Sequence, residues 1–426
     1  MKNKKWQNLV KMAVAISLVT LVVGLACAPA APAPEVSKEK VVRVGAHMVW
    51  SGAASMSCLP MGEMILDYFD YVNDELGGIE YVDPSTGKTE MVKLDVIWGD
   101  AAYNAARTLT LYKRQQAAGA QAMIIAGGSM IYTVSTLAIQ DKMPCFGYSA
   151  CFDPGFIKVE PKYWVVSAPG LHEHAATDLQ WILENWTEPR QLRVALLLGE
   201  IPTSRASFPP GEFEAYADSV GVDLVAVEWT PLAASDLSVE ITRMMEGKPD
   251  WVISMGGCTT STMVFLKDAE RLGFRDQFNY ITYYGGGVDE TMITVGGDVV
   301  EGMYGSIFTA VTDEDVPGVR LMREVRQKYR GKELTIQSLT GGIGAVGMAE
   351  GIRLAMNKVG YENLTGDAIL EGFHSINNFD TGGLTPPITI DPRYPVENRH
   401  FKMARVEGGK WRKASDWIPA PGVFEP

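Results

Sequence analysis

The chain has 426 residues, with 51 acidic against 38 basic side chains and a formal net charge of −13, a balance that argues against nucleic acid or an anionic membrane surface as partner. That length supports two lobes of ordinary domain size. Its five cysteines include no CxxC, which speaks against a structural zinc site, and no spacing among them compels a disulfide.

The first residues read as an export signal. Lys2, Lys4, Lys5 and Lys11 precede a mostly apolar run from Met12 to Ala26, too short to span a membrane comfortably. Gly24-Leu25-Ala26-Cys27 resembles a bacterial lipobox, with glycine where leucine is usual, which implies lipidation of Cys27 and a membrane tie through that lipid only. Residues 1–26 are thus expected to be a signal peptide and residues 27–40 an Ala/Pro-rich tether. Losing the signal removes four lysines and no acids, taking the charge from −13 to −17.

Beyond the tether, Val41 to Val49 reads as a strand broken by Trp50-Ser51-Gly52. From Met61, the residues Met64, Ile65, Tyr68, Val72 and Leu76 recur at helical spacing. Glu63, Asp67, Asp70 and Asp74 fill the opposite stripe, most simply a solvated face. A hairpin and strand over 79–99 follow, then a helix with Asp100 as its expected N-cap. Met123 to Ala126 is a short apolar run, Gly127-Gly128 a turn, and a helix to Asp141 leads to a second apolar run from Pro144. In an open parallel sheet such a turn lies at the carboxyl end of its strand, where ligands collect and the next helix points its unpaired N–H groups.

The alternation continues from residue 163: strands at 163–167, 192–198, 222–229, 250–255 and 278–283 alternate with helices at 172–186, 212–220, 237–246 and 260–272. A strand at 299–309, helices at 317–329, 345–358 and 366–373, and strand-like runs at 386–390, 399–406 and 410–413 complete the chain. Strands separated by helices imply parallel sheets with right-handed crossovers. The fold class is α/β, with two doubly wound lobes and a ligand site between them.

The order of these elements is similar to that of type I periplasmic solute-binding proteins of ATP-driven importers, in the hydrophobic and branched-chain amino-acid branch. Five segments carry the resemblance: Val44-Gly45 with Ser51-Gly52 and the run 73–79; PCFGYSAC at 144–151; PLAASDLSVEITRM at 231–244; FLKDAERLG at 265–273; and NFDTGGLTPPITID at 378–391. It implies lobe 1 at 41–168 and 308–385, and lobe 2 at 169–307 and 386–426. Crossings are then expected near 168–170, 305–310 and 384–388. It also implies a monomer that takes a small-molecule solute, needs no cofactor, and delivers its ligand to an ABC permease with its own ATPase. A sensor ectodomain and a true branched-chain amino-acid binder are the alternatives.

By the same resemblance, a ligand carboxylate would be held by Ser129, with Tyr132 able to share its role, and by backbone N–H groups at Ser149, Ala150 and Cys151. Cys258 stands where amino-acid binders carry an aromatic, and Tyr284 lies in the stretch where they carry an acid for the ligand ammonium. The ligand is therefore expected to be a carboxylate or another small polar or aromatic compound. Asp289 would restore the acid if that loop were longer. Trp50, Tyr148 and Tyr283 fall at strand ends and could stack on a ligand or simply pack. His172-Glu173-His174 would need extended backbone to bind a metal. Cys58, Cys151 and Cys258 map near the cleft, as small wall residues or a thiol-reactive set. The GxGxxG at 342–347 reads as glycine-assisted helix packing. No GxSxG, HExxH or P-loop pattern occurs, so no enzyme activity or metal site is expected.

Overall fold

A computed structural model describes residues 39–151 and 159–423. The expected signal peptide, Cys27 and nearly all of the tether lie outside them. The chain builds β1 (Val41–Met48), α1 (Ser55–Asp74), β2 (Ile79–Val82), β3 (Thr89–Asp100), α2 (Ala105–Ala117), β4 (Ala122–Ala126), α3 (Gly128–Asp141), β5 (Cys145–Cys151) and β6 (Trp164–Ala168). These strands form a six-stranded sheet in the order β2-β3-β1-β4-β5-β6, parallel except for the β2–β3 pair. Helices on both faces cover it, so β4 is buried along its whole length and carries no polar alternation.

Lobe 2 continues with α4 (Leu171–Glu184), β7 (Arg193–Gly199), α5 (Pro202–Ser207), α6 (Glu212–Ser219), β8 (Asp223–Thr230), α7 (Ser238–Glu246), β9 (Trp251–Met255), α8 (Thr259–Arg271), β10 (Asn279–Tyr283), α9 (Glu290–Gly296) and β11 (Tyr304–Ile307). The chain then returns to lobe 1 for α10 (Pro317–Arg330), α11 (Ile336–Val359) and α12 (Gly366–His374). It ends in lobe 2 with β12 (His400–Val406), β13 (Trp411–Lys413) and β14 (Ile418–Pro419). The second sheet runs β13-β12-β11-β10-β9-β7-β8, with β14 pairing β12. Strands β7 to β11 pair in parallel, and β12 and β13 add antiparallel at one edge.

Several local expectations change. The first helix begins at Ser55, ahead of the apolar stripe that starts at Met61, and carries Pro60 inside it. Asp100 ends β3, and Asn104 caps α2 by accepting from the Arg107 N–H at 3.0 Å. Helix α11 starts at Ile336, not near residue 345, with Thr335 as cap, so the GxGxxG lies inside it and opens no helix. A Cβ at Gly341 would stand 2.1 Å from the Met61 carbonyl oxygen, and one at Gly344 would stand 3.0 Å from the Tyr148 Cβ. Those glycines let α11 lie close on α1 and β5. The acidic stripe of α1 is only partly solvated, since Glu63 and Asp67 are buried against Arg326, itself 2% exposed.

The hinge also departs from expectation at its third strand. The returning chain still meets lobe 1 at Val396, which bridges Val166 in parallel, so the crossing falls at 397–399 and not near 384–388. Asn398 ties all three crossings: its N–H donates to Ser167 O at 3.2 Å and its side chain to Phe308 O at 2.7 Å.

Candidate functional site

The carboxyl ends of both sheets face each other, and the residues beyond them enclose one void of ≈ 40 Å³. Lobe 1 contributes Ala54, Ser57, Cys58, Tyr103 and Ser149; lobe 2 contributes Ile201, Leu232, Gly256, Gly257, Cys258, Tyr283 and Gly285. Ser57 and Cys58 lie in the opening turns of α1 and the others at or near strand ends, the position where doubly wound sheets collect ligands. No Asp, Glu, Lys, Arg or His lines the void. Its polarity comes from hydroxyls, thiols and the N-terminal turns of α1 and α8, with α3 opening alongside, and such turns favour an anion. At this size the void holds a water or two, whereas drug-sized ligands fill about 300–1,000 Å³. The lobes therefore stand shut on an almost solid interface.

Hydroxyl pairs close that interface. Ser57 and Thr259 meet at 2.7 Å, with the Thr259 N–H donating to Ser57 Oγ at 3.1 Å. Ser129 and Thr203 meet at 2.6 Å, and the Thr203 N–H lies 3.4 Å from Ser129 Oγ. Cys151 Sγ and the Tyr284 hydroxyl meet at 2.9 Å. Thr260 donates to the Ala53 carbonyl at 3.4 Å.

The backbone at the cleft is strained in three places that lack glycine: Ala102, Tyr103 and Ser149 have φ of 50°, 52° and 52°, each disfavoured for an L residue. Asp100 stabilises the first of these turns by accepting from the Trp50 and Ala102 N–H groups, each at 3.0 Å. Tyr103 then lies over Gly127, where an added Cβ would come within 2.6 Å of the ring and where φ is 71°. The glycine turn thus serves close approach as well as chain reversal. Burial pushes the Tyr103 and Tyr283 hydroxyls up, keeping both as neutral donors.

Among the residues singled out from the sequence, Cys58, Ser149, Cys258 and Tyr283 line the void, while Ser129, Cys151 and Tyr284 make the interlobe contacts beside it. Ala150 is fully buried in the packing of β5 against α3. Tyr132 is 46% exposed. The Trp50 ring packs on Trp98 with centroids 4.2 Å apart and does not line the void. Tyr148 is core, donating to the His47 carbonyl at 2.9 Å. Asp289 faces away: it accepts from the Thr291 N–H at 2.9 Å and from the Gln337 N–H at 3.0 Å, capping α9 and reaching the start of α11. His174 is fully buried in lobe 2, stacked on Phe401 and 2.5 Å from Ser306 Oγ, and burial lowers its pKa to about 3. Among the described residues, no group of three or more His, Cys, Asp or Glu is placed to hold a metal.

Sequence reading did not mark Ser57, Tyr103 or Thr203. Tyr103 was legible in principle, since it lies in the loop at the carboxyl end of β3. A separate groove of ≈ 410 Å³ between α1, β2, β3 and α11 shares no residue with the void.

Residues 41–410 match the model of a family described as periplasmic binding protein. No curated protein matches by sequence. Among solved structures, a branched-chain amino-acid ABC transporter protein from Thermus thermophilus with bound valine superposes with a TM-score of 0.75 at 18% identity, over 90% of this chain and 97% of that one. A solute-binding protein of an ABC transporter from Rhodopseudomonas palustris HaA2, in complex with p-hydroxybenzoic acid, gives 0.73 at 16% identity, over 91% and 100%. A fatty acid ABC transporter substrate-binding protein from Thermomonospora curvata gives 0.74 at 15%, over 90% and 93%.

Proposed function

The chain belongs to the periplasmic binding protein family, and from that premise we propose that it captures a small carboxylate lacking an ammonium group between its lobes and delivers it to an ABC permease. The carrying observation is the uncharged lining of the interlobe void. An ammonium enclosed there without an acid would lose several kcal/mol of hydration, and Asp289, the acid that a longer loop would have supplied, is spent on helix caps. A carboxylate, by contrast, meets hydroxyls and helix N-termini, which supply donors and partial positive charge without a counter-ion.

In this reading Ser129, whose hydroxyl meets that of Thr203 across the lobes, and the N–H groups around Ala150 and Cys151 hold the carboxylate. Aromatic or aliphatic bulk would be accommodated by Tyr103, Ile201, Leu232 and Tyr283 once the lobes part. The relatives named above, with valine, p-hydroxybenzoic acid and fatty acid in their descriptions, share a carboxyl group. The protein acts without catalysis, as an exported monomer anchored through Cys27, and transport energy comes from the permease's ATPase. A melting-shift screen followed by calorimetry, setting aliphatic and aromatic acids against standard amino acids, tests the assignment. Acids without an amine should raise the melting temperature; tight binding of valine or leucine would overturn the ligand class.

A further inference from the structure

Two thiols face the interlobe void from opposite sides. Cys58 lies in the opening turns of α1 in lobe 1, and Cys258 caps α8 in lobe 2. Both line the void, both are buried, and neither is in a disulfide. Cys258 Sγ already reaches across to lobe 1, 3.4 Å from the Ala53 carbonyl oxygen. The immediate neighbours of the two cysteines, Ser57 and Thr259, are joined hydroxyl to hydroxyl at 2.7 Å. A disulfide needs about 4.4–6.8 Å between Cα atoms, and the two thiols are near enough that a charge on Cys258 opposes ionisation of Cys58.

We propose that Cys58 and Cys258 form a reversible interlobe disulfide that fastens the two lobes together and switches ligand capture off under oxidising conditions. The switching consequence rests on reading the void as the ligand cleft; the cross-link does not.

The chemistry is exchange with a low-molecular-weight disulfide. One cysteine, as thiolate, attacks a donor sulfur and expels one donor thiolate, leaving a mixed disulfide. The second cysteine, once deprotonated, attacks the protein sulfur of that intermediate and expels the other donor thiolate. In sum two protein S–H bonds break and one S–S bond forms, while the donor disulfide accepts two electrons and two protons and departs as two thiols.

Burial, with Cys258 nearby, pushes the Cys58 thiol up to about 12. The shut form therefore holds it protonated and unreactive. The first exchange belongs to the open form, where water reaches the thiol, and the second to closure. A ligand lying between the two sulfurs would keep them apart, so capture and cross-linking compete.

The test uses the full chain treated with glutathione disulfide, then alkylation of remaining thiols, proteolysis and peptide mass spectrometry. A linked peptide pair containing Cys58 and Cys258, absent from both Cys58→Ser and Cys258→Ser and retained in Cys145→Ser, is expected. Small-angle scattering should show the oxidised, ligand-free protein more compact than the reduced one, with the difference erased by dithiothreitol. Using 4-hydroxybenzoate as probe, oxidation should weaken binding at least about tenfold in the wild type and leave the Cys258→Ser variant unchanged. Absence of the Cys58–Cys258 peptide, a link that uses Cys151 instead, or unaltered compactness would overturn the proposal. Unaltered probe binding by verified cross-linked protein would overturn the switch. If the probe binds neither form, the ligand class fails alone, and the peptide map and scattering still decide the latch.

Discussion

At Gly127 the φ of 71° and the Tyr103 ring leave no room for a Cβ. Both constraints act on one wall of the cleft, so Gly127→Ala should cost more than about 1 kcal/mol of stability through the left-handed backbone alone. It should also displace Tyr103 and weaken ligand binding beyond what the stability loss predicts; urea unfolding beside calorimetry separates the two. Ser149 illustrates the opposite situation, a residue with φ of 52° where glycine would be easier. Its side chain lines the void, and strain at a site of this kind is retained only when the surroundings over-determine it.

Two contacts between elements make sharper demands. Arg326 on α10 donates to Asp67 and Glu63 on α1, and all three are buried. Arg326→Met would leave carboxylates enclosed with less compensation, and a loss of about 3–5 kcal/mol is expected in denaturant unfolding. Glu290 opens α9 in lobe 2 and accepts from the Ile336 N–H at 2.9 Å, at the start of α11 in lobe 1. Burial, with Asp289 beside it, raises its pKa from 4.5 to about 7. The folded protein then keeps a proton that the unfolded chain releases between those values, so this contribution is full below about pH 4.5 and lost as pH rises through 7. Glu290→Gln should flatten the stability profile over that window, by about 1–3 kcal/mol relative to wild type; chemical denaturation at a series of pH values measures it.

Across the whole molecule, the two lobes are joined by three crossings that Asn398 holds together through Ser167 and Phe308. Removing its amide in Asn398→Ala takes away a buried bond worth about 1 kcal/mol and loosens the register between the crossings. The expected outcome is a changed open-to-closed ratio: scattering of the ligand-free variant should show a larger radius of gyration. Apparent affinity should fall by the factor by which the binding-competent population falls. A variant that is merely less stable, with unchanged scattering and affinity, would remove Asn398 from the hinge mechanism.

The alternation of short apolar runs with amphipathic helices determined two parallel sheets and hence a cleft at their carboxyl ends, because side-chain periodicity and crossover handedness are local properties. The same pattern put Ser149 at the end of a buried strand, whereas Cys258 was marked only through the resemblance to a known family. Tertiary structure alone decided which strand-end residues meet. Trp50 turned to Trp98, Asp289 to the start of α11, and the stripe of α1 to Arg326, each partner lying 40 or more residues away. Thr203 was hidden because α5 is a six-residue helix with no apolar period to announce it. The return crossing moved to 397–399 because pairing with Val166 is a long-range bond that no local pattern encodes.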